Sequence, residues 1–110
     1  MSLEDWSIQA PRAGSHDALS IGFDRIMDHA LIQSMIRVVD YENNMIEGHW
    51  DVDERAIFLP TEQWHKGRHR LIVDSRLEDA AGNNLQGLLD EPDGHDQRNV
   101  PSHQFIEFVT

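Results

Sequence analysis

The chain contains no cysteine, which excludes disulfides, thiolate nucleophiles and Cys-ligated zinc at once. Positive charge is scarce: nine basic residues, of which only Lys66 is lysine, stand against twenty acidic ones, for a formal net charge of -11. Such a surface repels phosphate backbones and anionic membranes, so nucleic-acid binding and membrane attachment lose their main electrostatic attraction. No apolar run approaches the ~18–20 residues of a membrane-spanning helix, and membrane insertion is not expected. A secretory leader is not visible either. Met1-Ser2-Leu3 is followed at once by Glu4-Asp5, the wrong charge and hydropathy for one. Met-Ser-Leu resembles an expression-vector leader, so residues 1–6 are expected to be leader or disordered, with one domain over residues 7–110. Also missing are G-x-S-x-G, a P-loop, G-x-G-x-x-G and H-E-x-x-H. No catalytic, cofactor-binding or metal-ligating residues are therefore assigned, and the chain is not expected to be an enzyme.

What is present is the material of an ordinary small globular domain. The 110 residues, 39% hydrophobic and 26% charged, suffice to bury a core. Apolar and polar residues alternate with the period of a half-buried strand. Leu19-Ser20-Ile21-Gly22-Phe23-Asp24 sets Leu19, Ile21 and Phe23 on one face, and Ile46-Glu47-Gly48-His49-Trp50-Asp51-Val52 does the same for Ile46, Trp50 and Val52. Shorter β-branched or aromatic runs cover residues 36–39, 56–59, 71–73 and 104–109. Turn-forming groups separate them: Tyr41-Glu42-Asn43-Asn44, Asp53-Glu54-Arg55 and Gly82-Asn83-Asn84. Many short strands at this spacing predict an all-β sandwich or barrel, and an antiparallel sandwich of about seven strands is the reading favoured. One stretch departs from the pattern. Asp28-His29-Ala30-Leu31-Ile32-Gln33-Ser34-Met35 opens on an N-cap residue and places Leu31 and Met35 at i, i+4, predicting one or two turns of helix. Residues 88–102 are polar and aperiodic and are expected to be an exposed acidic loop before the last strand. Leu19, Ile21, Phe23, Val38, Trp50, Phe58, Leu71 and Val73 are the candidate core.

Residues 74–86 carry the most specific signal. The strand His69-Arg70-Leu71-Ile72-Val73 runs into Asp74-Ser75-Arg76-Leu77-Glu78-Asp79-Ala80-Ala81-Gly82-Asn83-Asn84-Leu85-Gln86. Gly82 can take positive φ without steric cost, and Asp and Asn side chains bond nearby backbone, as a tight turn needs. The segment resembles the D-x-x-G-N-x-L signature of bacterial Ig-like domains of the S-layer-protein type. The rest of the chain is similar to that family in order. Pro11-Arg12-Ala13-Gly14 resembles its Pro-x-x-Gly lead-in. Phe23-Asp24-Arg25-Ile26-Met27-Asp28 resembles F-x-x-x-M-D, and Gly48 falls in the Gly-containing strand. Phe58-Leu59-Pro60 with Trp64-His65-Lys66-Gly67-Arg68-His69-Arg70-Leu71 resembles F-x-P followed by L-x-x-G-x-x-Y-x-V. The closing run Phe105-Ile106-Glu107-Phe108-Val109 resembles the family's aromatic last strand. His69 or Leu71 stands where the family often has Tyr, and the loop at 88–102 is longer than in a compact member. The resemblance implies an Ig-like sandwich acting as a non-catalytic structural or adhesive module. The host would be a larger exported or cell-envelope bacterial protein, with neighbouring domains or a cell-surface protein or glycan as partners.

Three constellations could carry chemistry beyond that. Seven histidines invite a zinc reading, and His65 and His69 lie at i, i+4, but Gly67 between them and the run from turn into strand make them solvated-loop residues instead. His16, His29, His49, His95 and His103 are scattered. Asp90, Glu91, Asp93 and Asp96 around Gly94 offer hard oxygen ligands for calcium without EF-hand spacing. Of Trp6, Trp50 and Trp64, the second alternates with apolar neighbours and reads as core. Trp64, in a Pro-to-Gly loop, is the one candidate sugar-stacking platform, although a lone loop Trp more often covers a core edge. These make a glycan- or calcium-dependent binding module the alternative to a structural one.

Overall fold

A computed structural model describes residues 2–85 and 102–110. Seven strands form: β1 (Ser7–Gln9), β2 (Leu19–Gly22), β3 (Ile36–Asp40), β4 (Gly48–Val52), β5 (Arg55–Pro60), β6 (Arg68–Asp74) and β7 (His103–Val109). A 3-10 turn, Leu3–Asp5, precedes β1, and the helix α1 (His29–Met35) leads directly into β3. One sheet has the order β1-β2-β5-β4 and the other β3-β6-β7, with every pairing antiparallel. The division of first, second, fifth and fourth strands against third, sixth and seventh is that of a seven-strand immunoglobulin constant-type sandwich. The expected all-β Ig-like fold is the one found.

Strand alternation builds the core. Leu19 and Ile21 of β2 lie opposite Phe58 and Ala56 of β5, and all four are buried. Across the sandwich, Val38 pairs with Leu71 and Ile36 with Val73, each almost completely buried. Burying each such aliphatic side chain contributes roughly 1.5–3 kcal/mol before entropy is counted. Asp28 caps α1, accepting a bond from the Ala30 N–H at 3.1 Å. The helix turns Ile32 wholly inward, while Leu31 and Met35 pack on the core's margin.

The candidate core is corrected at Phe23 and Trp50, and Trp6 joins it. Trp6 is buried and meets the Phe23 ring edge-on at 4.9 Å. A large apolar ring on a partly open core edge gains more by packing than by staying in water. Phe23 and Trp50 are half-buried at the rim, Trp50 resting on Phe58 with ring centroids 5.1 Å apart. β1 is a strand that the alternation does not reveal, since Ile8 is its single apolar residue. The expected exposed loop at 88–102 lies outside the described residues except for Ser102, which is exposed.

The register also fixes the direction of the chain. Ser7, at the start of β1, pairs with Gly22, which pairs with Arg55 beside the Asp53-Glu54 turn. The same pole holds the segment from β2 into α1 and the turn after β6, where Met27 bridges to Asp79. β7 also starts at this pole, with His103 opposite Asp74, and ends at the far one with Val109 opposite Arg68. There the remaining turns gather: Gly14 donates to Trp64 O, Thr61 to Glu47 O and Thr110 to Gly67 O. The first strand therefore begins at one pole, here the loop pole, and the last strand ends at the other.

Candidate functional site at the loop pole

The D-x-x-G-N-x-L segment closes as a turn around one carboxylate. Gly82 has φ +87°, which only glycine adopts freely, and its N–H donates to Asp79 O at 3.1 Å. Asp79 Oδ1 accepts the N–H groups of Ala81 and Asn83 at 3.0 and 2.8 Å. Its Oδ2 accepts from Asn83 Nδ2 and Arg25 Nη1, both at 3.1 Å. The side chain is 4% exposed. Burial pushes this carboxyl up, yet the bonds from Asn83, Arg25 and Ala81 outweigh it and hold it at about 2. A carboxylate so saturated with donors is a poor base and a poor metal ligand. It is a structural tie.

Arg25 is the partner that sequence reasoning misses. Its guanidinium is held by Asp24 at 3.1 Å on one side and by Asp79 on the other, 54 residues along the chain. Those two bonds keep its pKa above the ordinary value. The tie joins the loop after β2 to the turn after β6 and braces the pole. Leu77 and Leu85, on either side of the turn, are buried in the core. A hollow of about 530 Å³ opens beside this brace, lined by Phe23, Asp24, Arg25, Ile26, Met27, His29, Asp53 and Glu54. Ile26 stands 78% exposed on its rim. Neither Asp53 nor Glu54 has a cationic partner among the described residues.

The other candidates fall elsewhere. Trp64 is not an exposed platform: it is 3% exposed, its indole N–H bonded to Asp17 O at 2.8 Å and its ring set among Phe58, His69 and Phe108. A chain reversal just before β6 brings it over the open end of the core. His69 is likewise not a solvated loop residue. It is 2% exposed, stacks on Phe108 at 5.4 Å and lies 3.2 Å from Gly67 O through Nδ1. Strand alternation places it inward with Leu71 and Val73, a signal readable from the spacing of two. His65 stays exposed on the preceding turn, so the pair does not converge. Among the described residues no three His, Asp or Glu side chains group as metal ligands. The calcium candidates Asp90, Glu91, Asp93 and Asp96 lie outside the described residues. No helix of the described residues is long and apolar enough to cross a membrane. Comparison with known protein families, with curated proteins and with solved structures finds no match.

Proposed function

We propose that this chain is a non-catalytic structural or adhesive Ig-like module of a larger exported or cell-envelope bacterial protein. The observation that carries the reading is the course of the chain, with the first strand beginning at one pole and the last strand ending at the other. A module built so can be strung between neighbours without its ends crossing. Two features support it. The residues most suggestive of chemistry are spent on folding: Asp79 is saturated by donors, and Trp64 and His69 are buried. The succession of motifs that resembles the S-layer-type Ig-like domains coincides with elements of the sandwich. The glycan alternative loses its platform with the burial of Trp64.

The test is thermal melting in EDTA, in excess calcium or zinc, and with soluble cell-wall and plant glycans. A ligand at ~100 times its Kd adds about 2.7 kcal/mol, roughly ten degrees for a domain of this size. The melting temperature is expected to stay flat across the panel. A rise of several degrees with one ligand would replace the structural reading by a binding one.

A further inference from the structure

The longest strand edge left unpaired among the described residues is that of β7. Among the described residues it pairs with β6 on one side and with no strand on the other. The other edges are shorter or occupied. β1 has three residues and β4 five against seven in β7, and β3 is flanked by Met45 and Ile46. Natural sheets guard long edges with lysine, proline, a bulge or inward charge, because free N–H and C=O groups recruit another strand. β7, His103-Gln104-Phe105-Ile106-Glu107-Phe108-Val109, has no lysine, no proline and no inward charge. Its outward residues include Phe105, 57% exposed, and Val109, 63% exposed. Arg70 lies 5.3 Å above the Phe105 ring and 3.8 Å from the Glu107 carboxylate.

The order of these outward residues is self-complementary. We infer that β7 is the docking edge for a second copy of this chain, the two β7 strands pairing antiparallel about Phe105 into one continuous six-stranded sheet. In that register Phe105 faces its own mate across the two-fold axis. His103 faces Glu107 of the second copy, and Glu107 faces its His103, so imidazole and carboxylate meet on both sides of the aromatic pair. On the inner side Gln104 faces Ile106. Slipping the register by two residues toward the C-terminus would set Glu107 against Glu107, which antiparallel sheets disfavour. An isologous contact of this kind closes on itself and does not propagate. Main-chain bonds and apolar contact carry it, while the net charge of -11 on each copy opposes it. Dimerisation is therefore expected to strengthen as salt is raised.

The absence of cysteine makes the register directly testable, because each variant Phe105→Cys, Glu107→Cys and Val109→Cys carries a single thiol. Directly opposed residues have Cα atoms about 4.5–5.5 Å apart, within disulfide reach, whereas two copies of position 107 would be about 13 Å apart. Mild oxidation is expected to cross-link the Phe105→Cys protein at least tenfold faster than the other two. Sedimentation of the unaltered chain is expected to show dimer growing with concentration and with sodium chloride. Phe105→Asp should weaken association at least tenfold while melting as the unaltered protein does. A chain that stays monomeric at millimolar concentration overturns the inference, as does equal cross-linking at all three positions. Association unchanged by Phe105→Asp overturns it too. None of these results bears on the structural reading, which the ligand panel tests separately.

Discussion

Replacing Asp79 by Asn keeps the size of the side chain and reverses half of its chemistry. The carbonyl oxygen can still accept from Ala81 and Asn83, but an NH2 group then faces the donors of Asn83 Nδ2 and Arg25. Leaving these part-buried donors unpaired, with Arg25 held by Asp24 alone, is expected to cost about 1–3 kcal/mol, measurable by urea denaturation. Trp6 presents the opposite case. Its indole N–H is buried without a hydrogen-bond partner among the described residues, so Trp6→Phe is expected to be nearly neutral while Trp6→Ala loses about 3 kcal/mol of packing. Gly48 is needed for space. A Cβ there would stand 2.4 Å from both Leu59 O and the Phe58 ring, and because the first is backbone it cannot swing away. Gly48→Ala is expected to destabilise by about 1–3 kcal/mol in the same assay.

At the scale of elements, Asp28→Ala removes the cap of α1 and is expected to cost about 1 kcal/mol by the same denaturation measurement. The helix should survive the change, since Ile32 anchors it in the core. The elements are also where sequence reading succeeds and fails for physical reasons. β2 and β4 are visible because a strand with one face on the core must alternate, β3, β5, β6 and β7 as β-branched or aromatic runs, and α1 because its cap precedes a helical spacing. β1 is invisible because three residues with one apolar side chain make no period. His69 is misjudged because Lys66 and Gly67 before it suggest solvent, although its spacing of two from Leu71 and Val73 sets it inward. Trp64 covers a core edge, as a lone loop Trp more often does, and is buried there by the chain folding over the end of the core. The Asx turn at Asp79 is legible because its donors lie within four residues. The bond to Arg25 is not, since no local pattern links positions 25 and 79.

For the molecule as a whole, charge and the two held carboxylates give a signed pH response. Asp74, bonded by Arg76, and Asp79 both lie at about 2, below the ordinary 3.8. Groups whose folded pKa is depressed stabilise above their unfolded value and lose that contribution as pH falls through the folded one. The surface, with its net charge of -11 and a pI near 4.8, repels itself at neutral pH and relaxes on the way down. Melting temperature is expected to rise slightly from pH 7 to about 5 and to fall between about 4 and 2. The fall should be shallower in the Asp79→Asn protein.

The opposite placement of the two terminal strands has a mechanical meaning. Tension drawn between the ends pulls β1 and β7 along their own axes, in opposite directions. The bonds of an antiparallel ladder lie across those axes, so each ladder is sheared as a unit and its bonds must give way together. The two ladders are unequal: β1 is held by three residue pairs and β7 by seven. Under a rising pull the short strand slips first, dragging Trp6 from Phe23, and a length of slack is paid out while the seven-pair ladder still holds.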